Sequence, residues 1–447
     1  MAVRILLSQL NSGYLTSIKN DLIVKPNVSF FEKKRKDKYK KFGGDADIVK
    51  VPINFYKETE DSLYVPYSYY QKTFGQANHY KLILYSQFNF TFKGTLREEQ
   101  ILPYQELIDN ITARGCSNLN LHPGAGKTFL CAKASCEFRL KTLVLVNNTV
   151  LLDQWASTYK EYTNAKYCIV ENKKTINADD SILICMSTRV EHIPKSILDQ
   201  IGTLILDEAH TFCTPSRIDS LLSCQPLYII AATATPTRPD GMHVIIEHLC
   251  GTERIIKKSS KPFKVFQFNT GFDIGIPKNR FGDTDWNGYV ERLCSNDARN
   301  NMIINMILQN LSGNKILVLS PRVEHVLMIH DTLKSLGVKV DHMSGKKKSH
   351  MDSNVLVGTN PKIGTGYDAK SSAINFDGFP INLLIMTVSI KSEGLLEQVS
   401  GRCFRSEWPN IFVLYDDNKL GMSHMKANAK WFRSSKGEII YVDPVAQ

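Results

Sequence analysis

At 447 residues the chain is too long for a single hydrophobic core to be the default, so two or three domains are expected. A hydrophobic content of 43% beside 22% charged residues favours neither a globally disordered nor a fibrous protein, and ten cysteines with no C-x-x-C pair at zinc spacing argue against a disulfide framework or zinc ribbon. Lys and Arg total 55 against 44 Asp and Glu, a net charge of +11 that favours a polyanionic partner while leaving a plain basic soluble protein open.

The opening stretch, MAVRILLSQLNSGYL, has too few consecutive apolar residues for a signal-peptide core, and no later run is long enough to span a bilayer. An intracellular protein, not secreted and with no membrane partner, is expected. Residues 1–91 read as a smaller accessory region, mixed and aromatic-rich, in which LYVPYSYYQ (Leu63 to Gln71) alternates like a strand. Within it, KKRKDKYKK (Lys33 to Lys41) reads first as a solvated loop and second as a phosphate contact or nuclear import signal.

From residue 92 to 253, short β-branched runs alternate with helical stretches: TLVLVNN (Thr142 to Asn148), SILICMS (Ser181 to Ser187), TLILDEAH (Thr203 to His210) and LYIIAATAT (Leu227 to Thr235). Near-continuous apolar strands between helices predict a parallel sheet covered on both faces. A basic, proline-containing stretch, RIIKKSSKPFKV (Arg254 to Val265), reads as a linker. Over residues 262–447 the alternation resumes in KILVLSP (Lys315 to Pro321), SNVLVGT (Ser353 to Thr359), NLLIMTV (Asn382 to Val388) and IFVLYDD (Ile411 to Asp417). Two α/β domains in tandem are expected.

Three stretches carry chemistry. In LHPGAGKTFL (Leu121 to Leu130), between an apolar strand and a helix, Gly124 and Gly126 let backbone N–H groups turn toward a phosphate, with Ala125 between them. Lys127 would reach the terminal phosphates of ATP and the Thr128 hydroxyl would bind Mg²⁺. Leu121 stands where the P-loop pattern has its first glycine. The second stretch ends a buried strand with Asp207 and Glu208, carboxylates that are costly there unless a cation or a reaction uses them. Asp207 would hold Mg²⁺, and Glu208 would orient and deprotonate the attacking water. The third, QVSGRCFR (Gln398 to Arg405), sets Arg402 and Arg405 three residues apart on a predicted helical face, as charge-stabilising fingers for the γ-phosphate or as plain exposed arginines. Phosphate loop first and metal carboxylate later is the order of a P-loop NTPase.

Taken together, G-x-G-K-T, D-E-A-H, T-A-T and Q-x-x-G-R-x-x-R across Phe92 to Asp417 resemble motifs I, II, III and VI of the superfamily 2 helicases and translocases. That resemblance implies two RecA-like domains with ATP in the cleft between them. It also implies catalytic roles for Lys127, Glu208, Arg402, Arg405 and Gln398, which opens motif VI. By the same resemblance Gln100 in LREEQ reads the adenine, with Gln105 as its competitor, and Gly366 and Asp368 in GTNPKIGTGYD face the nucleotide. His210, Thr233 and Thr235 couple the ATP site to the strand-binding side, while NNTVLLDQW (Asn147 to Trp155) and SPRVEH (Ser320 to His325) resemble motifs Ia and IV. The wording of TATPTRPDG (Thr233 to Gly241) is similar to helicases of large cytoplasmic DNA viruses, of the poxvirus transcript-release type, and to phage and repair relatives. A nucleic-acid partner is thereby implied, DNA favoured over RNA, with transcription or replication machinery as the setting. Against the helicase stand an RNA helicase and an ATP-driven binding switch that does not unwind. A small-molecule P-loop kinase ranks last, having no use for the second α/β unit.

Overall fold

A computed structural model describes residues 2–27, 52–75, 85–238, 240–257, 262–347, 349–364, 367 and 369–443. The basic run Lys33–Lys41 lies outside these residues, as do Gly366 and Asp368. Contacts divide the chain into two compact units, Met1–Leu121 with Ala125–Lys257, and His122–Gly124 with Lys258–Gln447.

In the first unit, the β-branched runs become strands because their side chains can be buried on both faces at once. β6 (Cys116–Leu121), β7 (Thr142–Val146) and β10 (Thr203–Asp207) are buried at every position. With β8 (Tyr167–Val170), β9 (Ile182–Met186), β11 (Tyr228–Ala232) and β12 (Arg254–Lys257) they form a seven-stranded sheet in the order β12-β6-β11-β10-β7-β9-β8. Every pairing in it is parallel. The C-terminal ends of β6, β11 and β10 therefore lie side by side, where ligands of open α/β sheets bind.

The N-terminal residues add a small antiparallel sheet, β1 (Ala2–Leu6) against β5 (Ser62–Pro66), with β4 (Lys57–Glu58) beyond, and a ribbon of β2 (Ile23–Val24) on β3 (Ile53–Asn54). LYVPYSYYQ is not one strand. Pro66 has no further N–H to offer a ladder, and the chain turns into the helix Tyr67–Phe74. Val3, Ile5, Ile18, Phe55, Leu63 and Val65 share one buried cluster with Leu143, Leu145, Leu204, Leu206 and Ile229 of the large sheet. The opposite face packs Leu119, Val144, Ile205 and Ile230 against Leu107, Leu130, Trp155 and Tyr159.

The stretch read as a linker is largely strand. Arg254–Lys257 is the edge strand β12, and β13 (Phe263–Asn269) begins the second sheet. An edge strand turns half its residues to solvent, as exposed Ile256 shows, so its composition imitates a connection.

In the second unit, β13, β14 (Ile316–Ser320), β15 (Val340–Met343), β17 (Val355–Thr359), β19 (Leu383–Met386), β20 (Asn410–Tyr415) and β21 (Gly437–Val442) form another parallel sheet, ordered β15-β17-β14-β19-β20-β13-β21. A buried ion pair clasps its C-terminal ends. Arg299 Nε donates to Asp416 Oδ1 at 2.8 Å and its Nη2 to the Thr387 carbonyl at 2.5 Å, while the Thr270 hydroxyl reaches the same carboxylate at 2.7 Å. These partners follow β20, β19 and β13, so the Arg299–Asp416 pair ties three neighbouring strand ends.

Candidate active site

The phosphate loop leaves β6 at Leu121 and enters the helix Lys127–Phe138 at Gly126. Gly124 and Gly126 adopt φ of 83° and 87°, the left-handed region that lets the loop fold back with its amides inward. No side chain caps the helix, so its first N–H groups stay available to an anion. A Cβ at Gly126 would fall 2.3 Å from Gln100 Nε2. Gln100 is buried, and one end of its amide holds the loop while the other caps the start of its own helix. Nε2 donates to the Ala125 carbonyl at 2.9 Å, and Oε1 accepts the Arg97 N–H at 3.0 Å. Gln105 is exposed and bonds Asp109 of its own helix. Lys127 Nζ rests on the Leu121 carbonyl at 3.1 Å.

Asp207 ends β10, next to β11 in register with Ala232. Its Oδ2 accepts the Trp155 indole N–H at 2.7 Å, and its Oδ1 the Glu208 N–H at 3.0 Å. Burial, with Glu208 adjacent, pushes the Asp207 carboxyl up to about 6, against the pull of the indole and of Lys127. Glu208 takes φ of 51°, a strained conformation for a residue with a side chain, which turns its carboxylate off the strand line. Its Oε2 is buried with no hydrogen bond among the described residues and lies 3.5 Å from His210 Nδ1. That nitrogen instead bonds the Thr233 hydroxyl at 2.7 Å, and the Thr235 N–H reaches the same hydroxyl at 3.1 Å. Burial lowers the His210 pKa, so the ring is neutral at pH 7. The strand ends thus collect Lys127, Thr128, Asp207, Glu208, His210 and Thr233.

The donor set suits a hard cation held partly by substrate. Among the described residues no group of three or more His, Cys, Asp or Glu surrounds a point, whereas Mg²⁺ commonly takes one or two protein oxygens plus phosphates and water. Thr128 and Asp207 supply such oxygens.

In the second unit, Gln398 is buried on the helix Glu393–Ser400, facing Gly364. That helix stops at Ser400, and the chain continues in turns, so Arg402 and Arg405 do not share the helical face that their spacing predicts. Burial of Cys403 and Phe404 between them draws the backbone into i+3 hydrogen bonds, Cys403 N–H to the Ser400 carbonyl and Ser406 N–H to that of Cys403. The two arginines part in environment as well. Arg402 donates to the carbonyls of Tyr367 and Gly364 at 2.5 and 2.6 Å, while Arg405 is exposed.

Residues 93–238 match the family model described as type III restriction enzyme, res subunit. "Putative helicase 161L" of Invertebrate iridescent virus 6 is 28% identical over 380 residues, covering 77% of this chain and 82% of the relative. Residues 93–238 thus carry a helicase-family domain, and the relatives of the chain are viral helicases. The chain is accordingly an ATP-hydrolysing enzyme. "Putative helicase 055L" of Frog virus 3 is 30% identical, with 62% of this chain and 65% of the relative covered. "Putative ATP-dependent RNA helicase L396" of Acanthamoeba polyphaga mimivirus is 26% identical over 78% of this chain and 70% of its own. Among solved structures, S. cerevisiae Dbp5 bound to RNA and ADP BeF3 superposes with a TM-score of 0.53 at 12% identity, covering 78% of this chain and 94% of Dbp5, a likeness of fold.

Sequence reasoning quoted Trp155 at the end of the motif Ia stretch and Arg238 inside TATPTRPDG, but gave neither a contact with the Asp207–His210 turn. The Arg238 guanidinium pairs with both carboxylate oxygens of Asp240 at 3.0 and 2.7 Å and donates to the His210 carbonyl at 2.8 Å, bracing the turn that carries Glu208. The Asp240 carbonyl in turn accepts the N–H of Asn27 from the N-terminal region. A tryptophan inside an otherwise amphipathic stretch, and an arginine two residues before an aspartate, were the available signals.

Proposed function

We propose that this helicase moves along nucleic acid, DNA in preference to RNA, using ATP bound at the ends of β6, β11 and β10. The convergence of phosphate loop, Asp207 and Glu208 on adjoining strand ends carries this reading. Amides of the Gly124–Gly126 turn and the Lys127 ammonium bind the phosphates. Thr128 and Asp207 hold Mg²⁺, which when bound neutralises charge building on the transferred phosphoryl group. Glu208, with a carboxylate oxygen left without a hydrogen bond, takes the proton of the attacking water. Arg405, exposed, stabilises the transition-state charge, whereas Arg402 is engaged by the carbonyls of Gly364 and Tyr367. Gln100 serves the loop first and the adenine through it. Gln398, Gly366 and Asp368 take the nucleotide-facing roles of their motifs, and the His210–Thr233–Thr235 chain relays the state of the site.

The wording from Thr235 to Gly241 favours DNA, and the name of the mimivirus relative favours RNA as a second reading. An intracellular setting in viral transcription or replication fits the relatives. Steady-state ATPase assays with single- and double-stranded DNA and RNA, followed by strand displacement, test the proposal. Stimulation by DNA, weakening steeply with salt, is expected. Stimulation by RNA alone transfers the reading to RNA, and stimulation by neither leaves a switch.

A further inference from the structure

The helix Thr149–Tyr162 touches the ATP site at more than one point, and none of these contacts has a role in the reading above. Asn148 caps the helix through the Leu151 N–H at 2.9 Å, which fixes its start. Next along it, Gln154 Nε2 donates to Thr128 Oγ1 at 3.3 Å, and the Trp155 indole donates to Asp207 Oδ2 at 2.7 Å. A turn later the Tyr159 hydroxyl meets Ser135 Oγ at 3.0 Å, on the helix that Lys127 begins.

These contacts are specific in chemistry. Indole N–H is a donor only, and Trp155 is fully buried, so its group needs an acceptor, and a metal-site carboxylate is the one supplied. Its bond to Oδ2 and the Glu208 bond to Oδ1 fix the carboxylate plane. The Gln154 amide likewise occupies one lone pair of Thr128 Oγ1 and thereby orients the other. Apolar packing at 155 calls for no N–H donor, and a half-buried glutamine can leave its amide in solvent. Burial alone therefore does not account for either residue.

We propose that Gln154 and Trp155 are positioning residues for the divalent-cation site: one helix sets the orientation of both oxygen donors, Thr128 Oγ1 and Asp207, that receive the cation of the nucleotide complex. This rests on the reading of Thr128 and Asp207 as cation ligands.

The test titrates Mn²⁺ into the full-length protein saturated with ADP and follows free Mn²⁺ by electron paramagnetic resonance. Wild type, Trp155→Phe, Gln154→Ala and Asp207→Asn are compared, with thermal melting of each recorded. Losing an outer partner of a ligand weakens metal binding by about 10- to 100-fold, and a shift in that range is expected for Trp155→Phe, with a smaller one for Gln154→Ala. Metal-free ADP binding stays unchanged in both. Lower melting temperatures with wild-type Mn²⁺ affinity would mean mere packing and overturn the proposal. If Trp155→Phe does not fold, Gln154→Ala decides alone, since its side chain is not in the core. Unaltered Mn²⁺ binding in Asp207→Asn would instead reject the ligand assignment underneath.

Discussion

Asp207 and Glu208 are sequence neighbours that the backbone treats in opposite ways. Asp207 completes a strand with both oxygens held, whereas Glu208 sits in the left-handed region with one oxygen left without a hydrogen bond. Glu208→Gln is accordingly expected to keep nucleotide binding and to lower turnover by about 10²- to 10⁴-fold. ADP affinity and phosphate release, measured on the same preparation, check this, and undiminished release would remove the base role. The arginines separate in the same manner. Arg405→Ala should lower turnover by about 10³-fold and leave the melting temperature in place, while Arg402→Ala should lower that temperature too, because two carbonyls lose their donor. Lys127, Thr128, Asp207 and Glu208 were legible because each adjoins a feature that composition displays, a glycine turn or the end of an apolar strand. Trp155 and Arg238 were not, since their partners lie 52 and 28 residues away.

Elements were legible where burial is uniform. Parallel strands covered on both faces read as unbroken apolar runs, and β7, β10, β14 and β17 fall inside the stretches that predicted them. Legibility failed at boundaries governed by tertiary contact, as at Pro66, where a strand gives way to a helix, and at Ser400, where two buried side chains end one. The helix Val323–Ser335 shows what such contacts bring. His325 near its start is buried, with Nδ1 on Ser320 Oγ at 2.8 Å, Nε2 on Asn300 Oδ1 at 2.9 Å, and the Arg299 cation nearby. Burial first, and Arg299 second, push its pKa down to about 4 from 6.5. Between those values the unfolded chain binds the extra proton. The contribution to stability is therefore complete above pH 6.5 and is lost as pH falls toward 4, by at most roughly 1.4 kcal/mol per pH unit. Urea midpoints at pH 7 and pH 5 should show the loss, and His325→Gln should flatten the slope. An unchanged slope would mean that the ring stays neutral in both states or that other groups set it.

For the molecule as a whole, the least legible part was the beginning. Residues 1–91 read as a region apart because long-range packing leaves no periodicity in sequence. Yet Val3, Ile18, Phe55 and Leu63 lie in one cluster with Leu143 and Leu204. Deleting residues 1–75 should strip that face and leave an aggregating protein rather than a trimmed enzyme. Soluble yield and a cooperative thermal transition check it, and a monomeric, cooperatively melting truncation would show the cover to be dispensable. The shared core also bears on how the chain is made. The first strands leave the ribosome long before β10 and β11, whose face they cover, have been synthesised. Their greasy side chains must wait in the open until those later strands emerge, so the nascent segment that carries β1 and β5 has most need of a chaperone.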